Sequence, residues 1–504
     1  MILFAGILAG NFLLYGRIAP AFLPSEDKGA LFAEVILPPG ASLPRTSEVL
    51  HDMLDRIKDV KGIRNSLLIP GQSMTAGNGE NCGFVIFELD SWELRKTPDL
   101  QLSAIQAEMT RRVADIADAR IMILAPPPIN GMGASGGVTF AFQAKGEKTP
   151  QQLSAAAEEL CAKIMQTGKA VYAFSSFDAN TPMLNIDIDR AKAEALRLSP
   201  STIFYTLQAF FGSMYINDFN RFSKTYKVNV QADFQFRKNL NYMKQIYIPS
   251  STGAQVPFDA IATLNWTQGS RQAERFNMFP SASINTQSVP FFSSGQMMTL
   301  VSDIMHDFGQ DYGISWTGMS YQESQNQGKI IWILGMALLM AYLFLVAQYE
   351  SWTLPISVIL SVGTATLGGL VALFVTRGDM NIYCQLGLLM LIGLTAKSAI
   401  LMVEYAKQER ESGLSIREAA VRGMRIRFRS VMMTALSFVF GVLPLLYATG
   451  AGAASRHAVG VTTFWGMSVA AIVGMTFIPG LYVVFQYIGE FFLNMFHGKK
   501  IESN

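Results

Sequence analysis

The chain has 504 residues, of which 50% are hydrophobic and 15% are charged, and the length alone predicts three or four domains. The mean hydropathy of +0.26 excludes a disordered chain, a collagen and a disulfide-stapled mini-protein, and it argues against a purely soluble enzyme. With 40 Lys and Arg against 38 Asp and Glu, the net charge is +2, so no overall basicity points to nucleic acid.

Charge is distributed unevenly along the chain. Residues 1–16 carry no charge, and residues 329–504 carry 13 basic and 8 acidic residues, a net charge of +5 (13 − 8). Residues 17–328 are net negative, and the long apolar runs lie outside them. We therefore expect one large non-membrane block that is flanked by membrane segments.

The first 16 residues, Met1–Gly16, are predicted to form a membrane helix that begins abruptly. A signal peptide is the weaker interpretation, because no basic residue precedes the apolar run and Arg17 follows it.

Residues 31 to 127 show a repeat of alternating strands and amphipathic helices. Their order is βαββαβ, which is the split ferredoxin-like unit. The predicted elements are strand Phe32–Pro38, helix 43–59, strands 63–69 and 83–89, helix 99–116 and strand 120–125.

A second copy of this unit begins with a strand at Val138–Ala144. Its helix opens with Thr149-Pro150-x-Gln152, which places Pro at the first helical position inside a capping pair. The copy is then interrupted by a separate α/β insertion, about 182–266. The other predicted elements are strand 171–177 before the insertion, strands Leu184–Ile188 and Tyr226–Gln231 and a hairpin around Ser251–Gln255 within it, and strand 270–287, helix 295–308 and strand 313–317 after it.

Five further apolar runs are long enough to cross a membrane. With the first segment they predict six membrane helices. The five runs are 329–347, 354–376, 383–405, 430–449 and 460–488.

Basic residues in short loops predict the orientation. They cluster between the fourth and fifth predicted helices and in the tail, so both of these segments and both termini are predicted to be cytoplasmic, with residues 17–328 across the membrane. Within the basic loop, Ser415-x-x-Glu418 is a capping box and predicts a short surface helix. The basic residues are Lys407, Arg410, Arg417, Arg422, Arg425, Arg427, Arg429, Lys499 and Lys500.

Two motifs typical of enzymes occur in the sequence, but the elements predicted around them are not those that the motifs require. Gly131-x-Gly133-x-x-Gly136 matches a dinucleotide fingerprint and Gly133-x-Ser135-x-Gly137 matches a hydrolase elbow, but a strand follows where a helix is needed. We interpret this segment as a linker. The three cysteines and four histidines lack ligand spacing, and the 26 methionines fit apolar packing better than a soft-metal site, so no metal site is predicted.

Lys397 is the exception within the predicted membrane helices. It lies in GLTAKSAILMV, about 12 Å from the end of its helix. Snorkelling is the alternative, but otherwise an intramembrane cation faces the interior of a helix bundle and pairs with an anion. Arg427 and Thr434, about two turns apart, fall on one helix face that leads towards Lys397.

The acidic residues near the predicted membrane helices, Glu350, Asp379, Glu404 and Glu490, all lie at helix ends or in loops, so none lies within a helix to pair with Lys397. An unpaired buried ammonium costs several kcal/mol or deprotonates. If Lys397 is functional, we therefore expect its carboxylate partner on another polypeptide or on a missing part of this one.

These features resemble the C-terminal half of a resistance–nodulation–division (RND) efflux pump of the hydrophobe/amphiphile type. The resemblance covers essentially the whole chain. Its marks are FLPSEDKG (22–29), NIDIDRAKAEAL (185–196), INDFN (216–220), WTGMSYQE (316–323), AQYESW (347–352), GLTAKSAIL (393–401), RIRFRSVMMTAL (425–436) and ATGAG (448–452).

The resemblance implies a multi-pass α-helical membrane protein with an α+β periplasmic part. Residues 1–16 are then the first transmembrane helix, and two ferredoxin-like porter subdomains and a docking insert follow. The other implied boundaries are porter subdomain 1 at 17–135, porter subdomain 2 at 136–181 and 267–320, the docking insert at 182–266, five transmembrane helices at 329–490 with a cytoplasmic loop at 406–428, and a cytoplasmic tail at 491–504.

The family works as a trimer in the inner membrane and drives drugs out with proton influx, with no bound cofactor. Its proton relay joins two aspartates of the N-terminal half to a Lys, an Arg and a Thr, which by motif position are Lys397, Arg427 and Thr434. Ser398 stands where the family often has Asn. The implied partners are an N-terminal half that carries the aspartates, a periplasmic adaptor and an outer-membrane channel, in addition to the lipid bilayer.

The implied drug cleft includes a switch loop at Gly71–Gly79, where the family's phenylalanines are replaced. Strand residues Phe32, Glu34 and Ile36 alternate onto one face. An ordinary ferredoxin-like core is the equal alternative for each of these positions. The cleft positions are Phe32, Glu34, Ile36, Leu67, Ile69, Met74, Ile86 and Phe174, and the loop positions are Gly71, Gln72, Ser73, Met74, Gly77 and Gly79.

The leading hypothesis is therefore half of a proton-driven multidrug permease that does not pump alone. It is one gene of a split pump, a truncated gene product or an expressed fragment. The alternatives are a non-transporting binding or assembly subunit and a metal-exporting relative, which needs clustered methionines where only Met74 is near. An enzyme is the least favoured class.

Overall fold

The computed structural model describes residues 2–133, 136–326 and 328–497. The tail residues Lys499 and Lys500 and the motif residue Ser135 lie outside these ranges. The chain divides into two compact units, one of Met1–Asp178 with Gln272–Asn504 and the other of Ala179–Arg271.

The chain begins with helix α1 (Ile2–Arg17), which is apolar but shorter than a full membrane span. It packs against a later membrane helix through Asn11, whose amide donates to the Gly363 carbonyl at 2.8 Å.

The first α/β module follows the predicted βαββαβ order. Strand order in its sheet is β2-β3-β1-β4, with neighbouring strands antiparallel. Helices α2 and α3 cover one face, because α2 is strongly amphipathic and buries Leu50 and Met53 completely. The elements are β1 (Ala30–Ile36), α2 (Leu43–Ile57), β2 (Ile63–Pro70), β3 (Cys82–Leu89), α3 (Leu102–Val113) and β4 (Arg120–Leu124).

The helix predicted at 99–116 differs at its start. Pro98–Leu100 forms a separate 3₁₀ turn, and the α-helix begins only at Leu102. Gln101 has an extended backbone (φ −70°, ψ 150°) and therefore separates the 3₁₀ turn from the α-helix.

The second module opens with β5 (Val138–Ala144), α4 (Pro150–Gln166) and β6 (Ala170–Ser175). The predicted capping box at α4 is present, because the Thr149 hydroxyl accepts from the Gln152 amide at 3.2 Å and the Gln152 side chain accepts from the Thr149 amide at 3.0 Å. Residues 125–133 and 136–137 form no helix or strand, as expected of a linker.

The insertion folds around its own apolar cluster, which includes Ile203, Ile248 and Phe258. Its first and last strands pair over their full length. A long exposed strand, β8, was missed in the sequence because its residues show no buried alternation. The elements are β7 (Thr181–Ile188), α5 (Arg190–Ala195), α6 (Pro200–Leu207), β8 (Met214–Arg221), β9 (Lys224–Val230), α7 (Phe234–Arg237), α8 (Leu240–Lys244), β10 (Tyr247–Pro249), β11 (Gln255–Pro257) and β12 (Ala262–Gly269).

The second module then resumes and completes its sheet. Strand β14 pairs with both β5 and β6, and β15 pairs with β5, so the order β6-β14-β5-β15 repeats that of the first sheet. The elements are β13 (Arg275–Phe276), β14 (Phe279–Ser288), α9 (Ser294–Met305), β15 (Tyr312–Trp316) and α10 (Gly318–Asn326).

Among the described residues, five helical segments are long and apolar enough to cross a membrane. The last segment contains a π-helical turn at Ala470–Gly474. The first four segments are α11 (Lys329–Tyr349), α12 (Leu354–Val375), α13 (Ile382–Glu411) and α14 (Ile416–Leu446). The fifth consists of α15 (Ala453–Val469) and α16 (Met475–His497), which the π-helical turn joins.

The basic segment 406–428 is not a loop, and the predicted short surface helix is wrong. The Ser415–Glu418 capping box is present, but it opens the continuous 31-residue helix α14. The one glycine within its basic turns, Gly423, packs against the Ala406 backbone, where an added Cβ would lie 2.7 Å from the amide nitrogen. Glycine favours a break in a helix, but the close packing of Gly423 against Ala406 stabilises the helix at this position.

Candidate functional site

Three predicted cleft residues of β1 lie on the face of the first sheet that the helices leave uncovered. Leu31, Ala33 and Val35 point to the helices, so Phe32, Glu34 and Ile36 point to the other face. We call this the outer face. These three residues therefore lie outside the apolar core between the first sheet and its helices.

Strand register extends the outer face across the sheet. Leu67, Ile86 and Phe32 form one cross-strand row, and Ile69 and Glu34 belong to the next. Leu67 remains 57% exposed. The shared face predicted for Phe32, Glu34 and Ile36 is confirmed, and the role of the cleft residues in substrate binding stays a prediction.

An apolar cluster joins the outer face to the second module. Phe32 and Ile36 pack against Phe174, which is 3% exposed, together with Met122 and Leu124. The structure therefore brings together three of the predicted cleft residues that lie far apart in sequence.

The loop Gly71–Gly79 folds onto Glu34, which is fully buried. The Ser73 hydroxyl donates to Oε2 at 2.5 Å, and the Met74 amide donates to Oε1 at 2.7 Å. Burial raises the pKa of the Glu34 carboxyl, and the hydrogen bonds from the loop oppose this shift. Sequence reasoning grouped Glu34 with the loop but did not find that they are bonded.

In the membrane helices, Arg427 lies on the ring of Tyr405. The guanidinium carbon is 3.6 Å from the ring centroid, which is close cation–π geometry. The Nε atom of Arg427 is buried without a hydrogen-bond partner in the described ranges. No spacing in the sequence signals this pair, because the two residues belong to different helices.

The Arg427–Tyr405 contact fixes the relative depth of the other two predicted relay residues. Helices α13 and α14 run in opposite directions from a short turn. Lys397 is eight residues from Tyr405 and Thr434 is seven from Arg427, or about 12 and 10 Å along each helix, so the two lie at similar depth.

Lys397 and Thr434 are nevertheless not bonded to each other. The Thr434 hydroxyl donates to the Ser430 carbonyl at 2.7 Å within its own helix. Lys397 is exposed and forms no hydrogen bond or ion pair with any residue that the structure describes. The chain thus presents an uncovered cation halfway along an apolar helix.

A small cavity lies among the membrane helices. Its volume is about 10 Å³, and it borders the π-helical turn of the last segment. Thr395, Ser398 and Ser361 line it, and the Thr395 hydroxyl is buried with no partner among the residues described.

No group of three or more His, Cys, Asp or Glu side chains could hold a metal ion in the part of the chain that the structure describes.

Five membrane-capable helices and two α/β sheets of matching strand order define a multi-pass membrane protein with a large non-membrane part.

The chain belongs to the AcrB/AcrD/AcrF family, whose model matches residues 1–486. It is 34% identical to the solvent-resistant pump membrane transporter SrpB of Pseudomonas putida over 96% of this chain and 46% of that protein. It is 33% identical to the toluene efflux pump membrane transporter TtgE of P. putida (97% and 47%) and 32% identical to the multidrug export protein AcrF of Escherichia coli (96% and 47%).

These relationships confirm the resemblance to efflux transporters. The chain spans about half the length of the curated relatives that it matches.

Proposed function

We propose that this chain is the C-terminal half of a proton-driven RND permease that exports amphiphilic compounds across the inner membrane. Family membership and the named functions of the relatives, which include solvent, toluene and multidrug export, support efflux. The single observation that carries the mechanism is the exposed Lys397 at mid-helix, because such a cation needs an anionic partner and no residue that the structure describes supplies one.

The proposed relay consists of Lys397, Arg427 and Thr434. Arg427 is held by Tyr405 at one end of the polar track, and Thr434 and Lys397 follow at similar depth. Paired aspartates of an N-terminal half would neutralise Lys397. Proton uptake by these carboxylates would release the ammonium, so a proton transfer would change packing across the interface.

The assembly follows from the same family assignment. We propose that both termini are cytoplasmic and that residues 17–328 are periplasmic. The two sheet modules act as porter subdomains and the insertion acts as the docking subdomain. The complete pump is a homotrimer that works with a periplasmic adaptor and an outer-membrane channel.

The test is efflux of a fluorescent amphiphile from cells that express this chain together with a companion half that carries paired aspartates. Lys397→Met should reduce efflux at least tenfold at equal expression. Lys329→Met, which removes the same charge at the exposed start of α11, is the matched control and should retain efflux. Normal efflux by a well-expressed Lys397→Met chain would overturn the relay.

A non-transporting assembly subunit is the second candidate, because the chain covers only about half of its relatives. Co-purification with the companion half, without proton-coupled efflux from the pair, would favour it over the pump.

A further inference from the structure

One side of helix α14 combines arginines with exposed apolar residues. The members follow one another at intervals of three or four residues, the spacing that places side chains on the same side of a helix. We call this set the arginine stripe, and it consists of Arg425, Arg429, Met433, Leu436 and Phe440. All of its side chains are exposed, so the stripe is available to a partner.

The stripe lies on a different side of α14 from the proposed relay residues. Arg425 and Arg429 are each two residues from Arg427, so they project about 160° around the helix from it. Thr434 lies on the Arg427 side, because seven residues make about two turns. A companion half that covers Thr434 thus contacts another side of the helix, and the stripe is left for a separate partner.

The two arginines of the stripe have no anionic partner in the described parts of the chain. Neither forms a hydrogen bond or an ion pair there. Two acidic residues of the same helix pair are engaged elsewhere, because Glu409 contacts Arg422 at 3.3 Å and Glu418 accepts from the hydroxyl of the capping serine at 2.8 Å. Arg425 and Arg429 therefore present two uncompensated positive charges.

The rest of the stripe is apolar and has the length of one lipid leaflet. Met433, Leu436 and Phe440 are 57%, 43% and 66% exposed. From Arg429 to Phe440 the helix advances by eleven residues (440 − 429), or about 16 Å. Half of the hydrocarbon thickness of a bilayer is about 15 Å. The positive end of the stripe therefore lies near the headgroups of a leaflet whose hydrocarbon covers the apolar end.

This arrangement matches the structure of an anionic phospholipid. Guanidinium groups bind phosphate oxygens through pairs of parallel N–H bonds. Arg425 and Arg429 are four residues apart, so their side chains start about 6 Å from each other and can bind one phosphate group together. The same arginines would repel the additional cation of a choline or ethanolamine headgroup, which favours a lipid with net negative charge.

We propose that the arginine stripe binds an anionic phospholipid, with the phosphate between Arg425 and Arg429 and one acyl chain on Met433, Leu436 and Phe440. The lipid holds this end of α14 at the level of the headgroups and so fixes the depth of the helix in the membrane. This binding goes beyond the proposed efflux function, and only an effect on transport would rest on that function.

Native mass spectrometry of the purified full chain in detergent tests the site, with dioleoyl phosphatidylglycerol and dioleoyl phosphatidylcholine added in equal amounts. The chain should retain phosphatidylglycerol about fivefold or more over phosphatidylcholine. Arg425→Gln and Arg429→Gln should each lower this retention about fivefold, the loss expected for one arginine at an anionic lipid surface. Arg417→Gln is the matched control, because it removes an exposed arginine of the same helix about 12 Å before Arg425, and it should behave as wild type.

Two further ligands separate the acyl chain from the phosphate. Dihexanoyl phosphatidylglycerol, whose chains are too short to reach Phe440, should be retained less than the dioleoyl lipid. Inorganic phosphate in excess should not displace the dioleoyl lipid, because it lacks the contacts with the apolar end of the stripe.

Equal retention of the two dioleoyl lipids, or unchanged retention in both Arg425→Gln and Arg429→Gln, would overturn the proposal. An equal loss in Arg417→Gln would also overturn it, because it would show attraction to basic residues in general. Displacement by inorganic phosphate would show an anion site without a lipid. No readout requires transport, so a chain that binds the lipid but never supports efflux would refute the pump and leave the lipid site intact.

Discussion

The carboxylate of Glu26 accepts a hydrogen bond from the backbone amide of Ser455 at 2.9 Å, at the start of helix α15. It also accepts from the Ala454 amide at 3.3 Å. The residue at the cap position of this helix is Gly452, which has no side chain to cap with. Glu26, which is distant in sequence, therefore caps the helix in place of a side chain at position 452. It also links the segment after α1 to the last membrane segment.

Glu26→Ala should lower the free energy of unfolding by about 0.5–2 kcal/mol, the usual cost of removing a helix cap. The thermal unfolding midpoint in detergent measures this effect. Glu93→Ala, which removes an exposed carboxylate from the first α/β module, is the control and should leave the midpoint unchanged. An unchanged midpoint in Glu26→Ala would mean that water replaces the carboxylate at no cost.

Asp27 and Arg95 form a bidentate ion pair. Removing one side chain should lower the stability more than removing the other. The guanidinium contacts Asp27 at 2.9 and 3.1 Å and the Asp90 carbonyl at 2.7 Å. The Arg95 side chain is 1% exposed, whereas that of Asp27 is 23% exposed.

Asp27→Ala should therefore cost about 3–5 kcal/mol, because it leaves a buried guanidinium unpaired. Arg95→Met should cost less, because water can reach the remaining carboxylate. Chemical denaturation of the two single variants and the double variant measures the pair. A greater loss in Arg95→Met than in Asp27→Ala would contradict the stated asymmetry.

Glu323 should make stability dependent on pH. It is 6% exposed in α10, where the Ser294 hydroxyl donates to it at 3.0 Å. Burial is the main cause that raises the pKa of its carboxyl to about 7; the bond from Ser294 opposes this rise, and the charge of Asp379 adds to it.

Because the folded protein holds this proton more tightly than the unfolded chain, the contribution of Glu323 is fully present below its ordinary pKa and is lost as the pH rises through about 7. Glu323→Gln should remove this dependence and stabilise the protein by about 1–3 kcal/mol at pH 8. Thermal unfolding at pH 5 and pH 8 checks it, with the exposed Glu48→Gln as control. Equal pH dependence in Glu323→Gln and wild type would sink this assignment.

Thr395→Val should raise stability by about 1 kcal/mol, because it replaces a buried hydroxyl that lacks a described partner with an isosteric methyl group. Thr462→Val is the matched control in a neighbouring helix. The Thr462 hydroxyl is fully buried and donates to the Val459 carbonyl at 2.9 Å, so its loss should not stabilise. A loss of stability in Thr395→Val would instead show that a water molecule in the adjoining cavity satisfies the hydroxyl.

Local patterns in the sequence predicted much of the fold. Alternation placed Phe32, Glu34 and Ile36 on one face of a strand, and capping pairs such as Thr149 and Gln152 marked real helix starts. Strand β8 was missed because its residues, MYINDFNR, do not alternate between apolar and polar, and nearly all of them are exposed. The end of a helix was misjudged where Gly423 is stabilised by packing that no local pattern reports.

The candidate sites were predictable in their charges but not in their contacts. Lys397 stood out because a lysine within an apolar run is costly wherever the chain folds. The bond between Glu34 and Ser73 joins residues 39 positions apart, and it depends on the register of β1 and the path of a loop. A charge within an apolar segment is thus visible in sequence, whereas its partner group depends on tertiary structure.

Residues Thr181 and Gly269, at the two ends of the insertion, are direct partners on antiparallel strands. The polypeptide accordingly enters and leaves the insertion at one point, as it would at a short hairpin. Because its two ends are as close as paired strands hold them, the insertion could be replaced by a tight turn without changing the distance between those ends. Changes inside the insertion can then accumulate without moving the residues at its two ends.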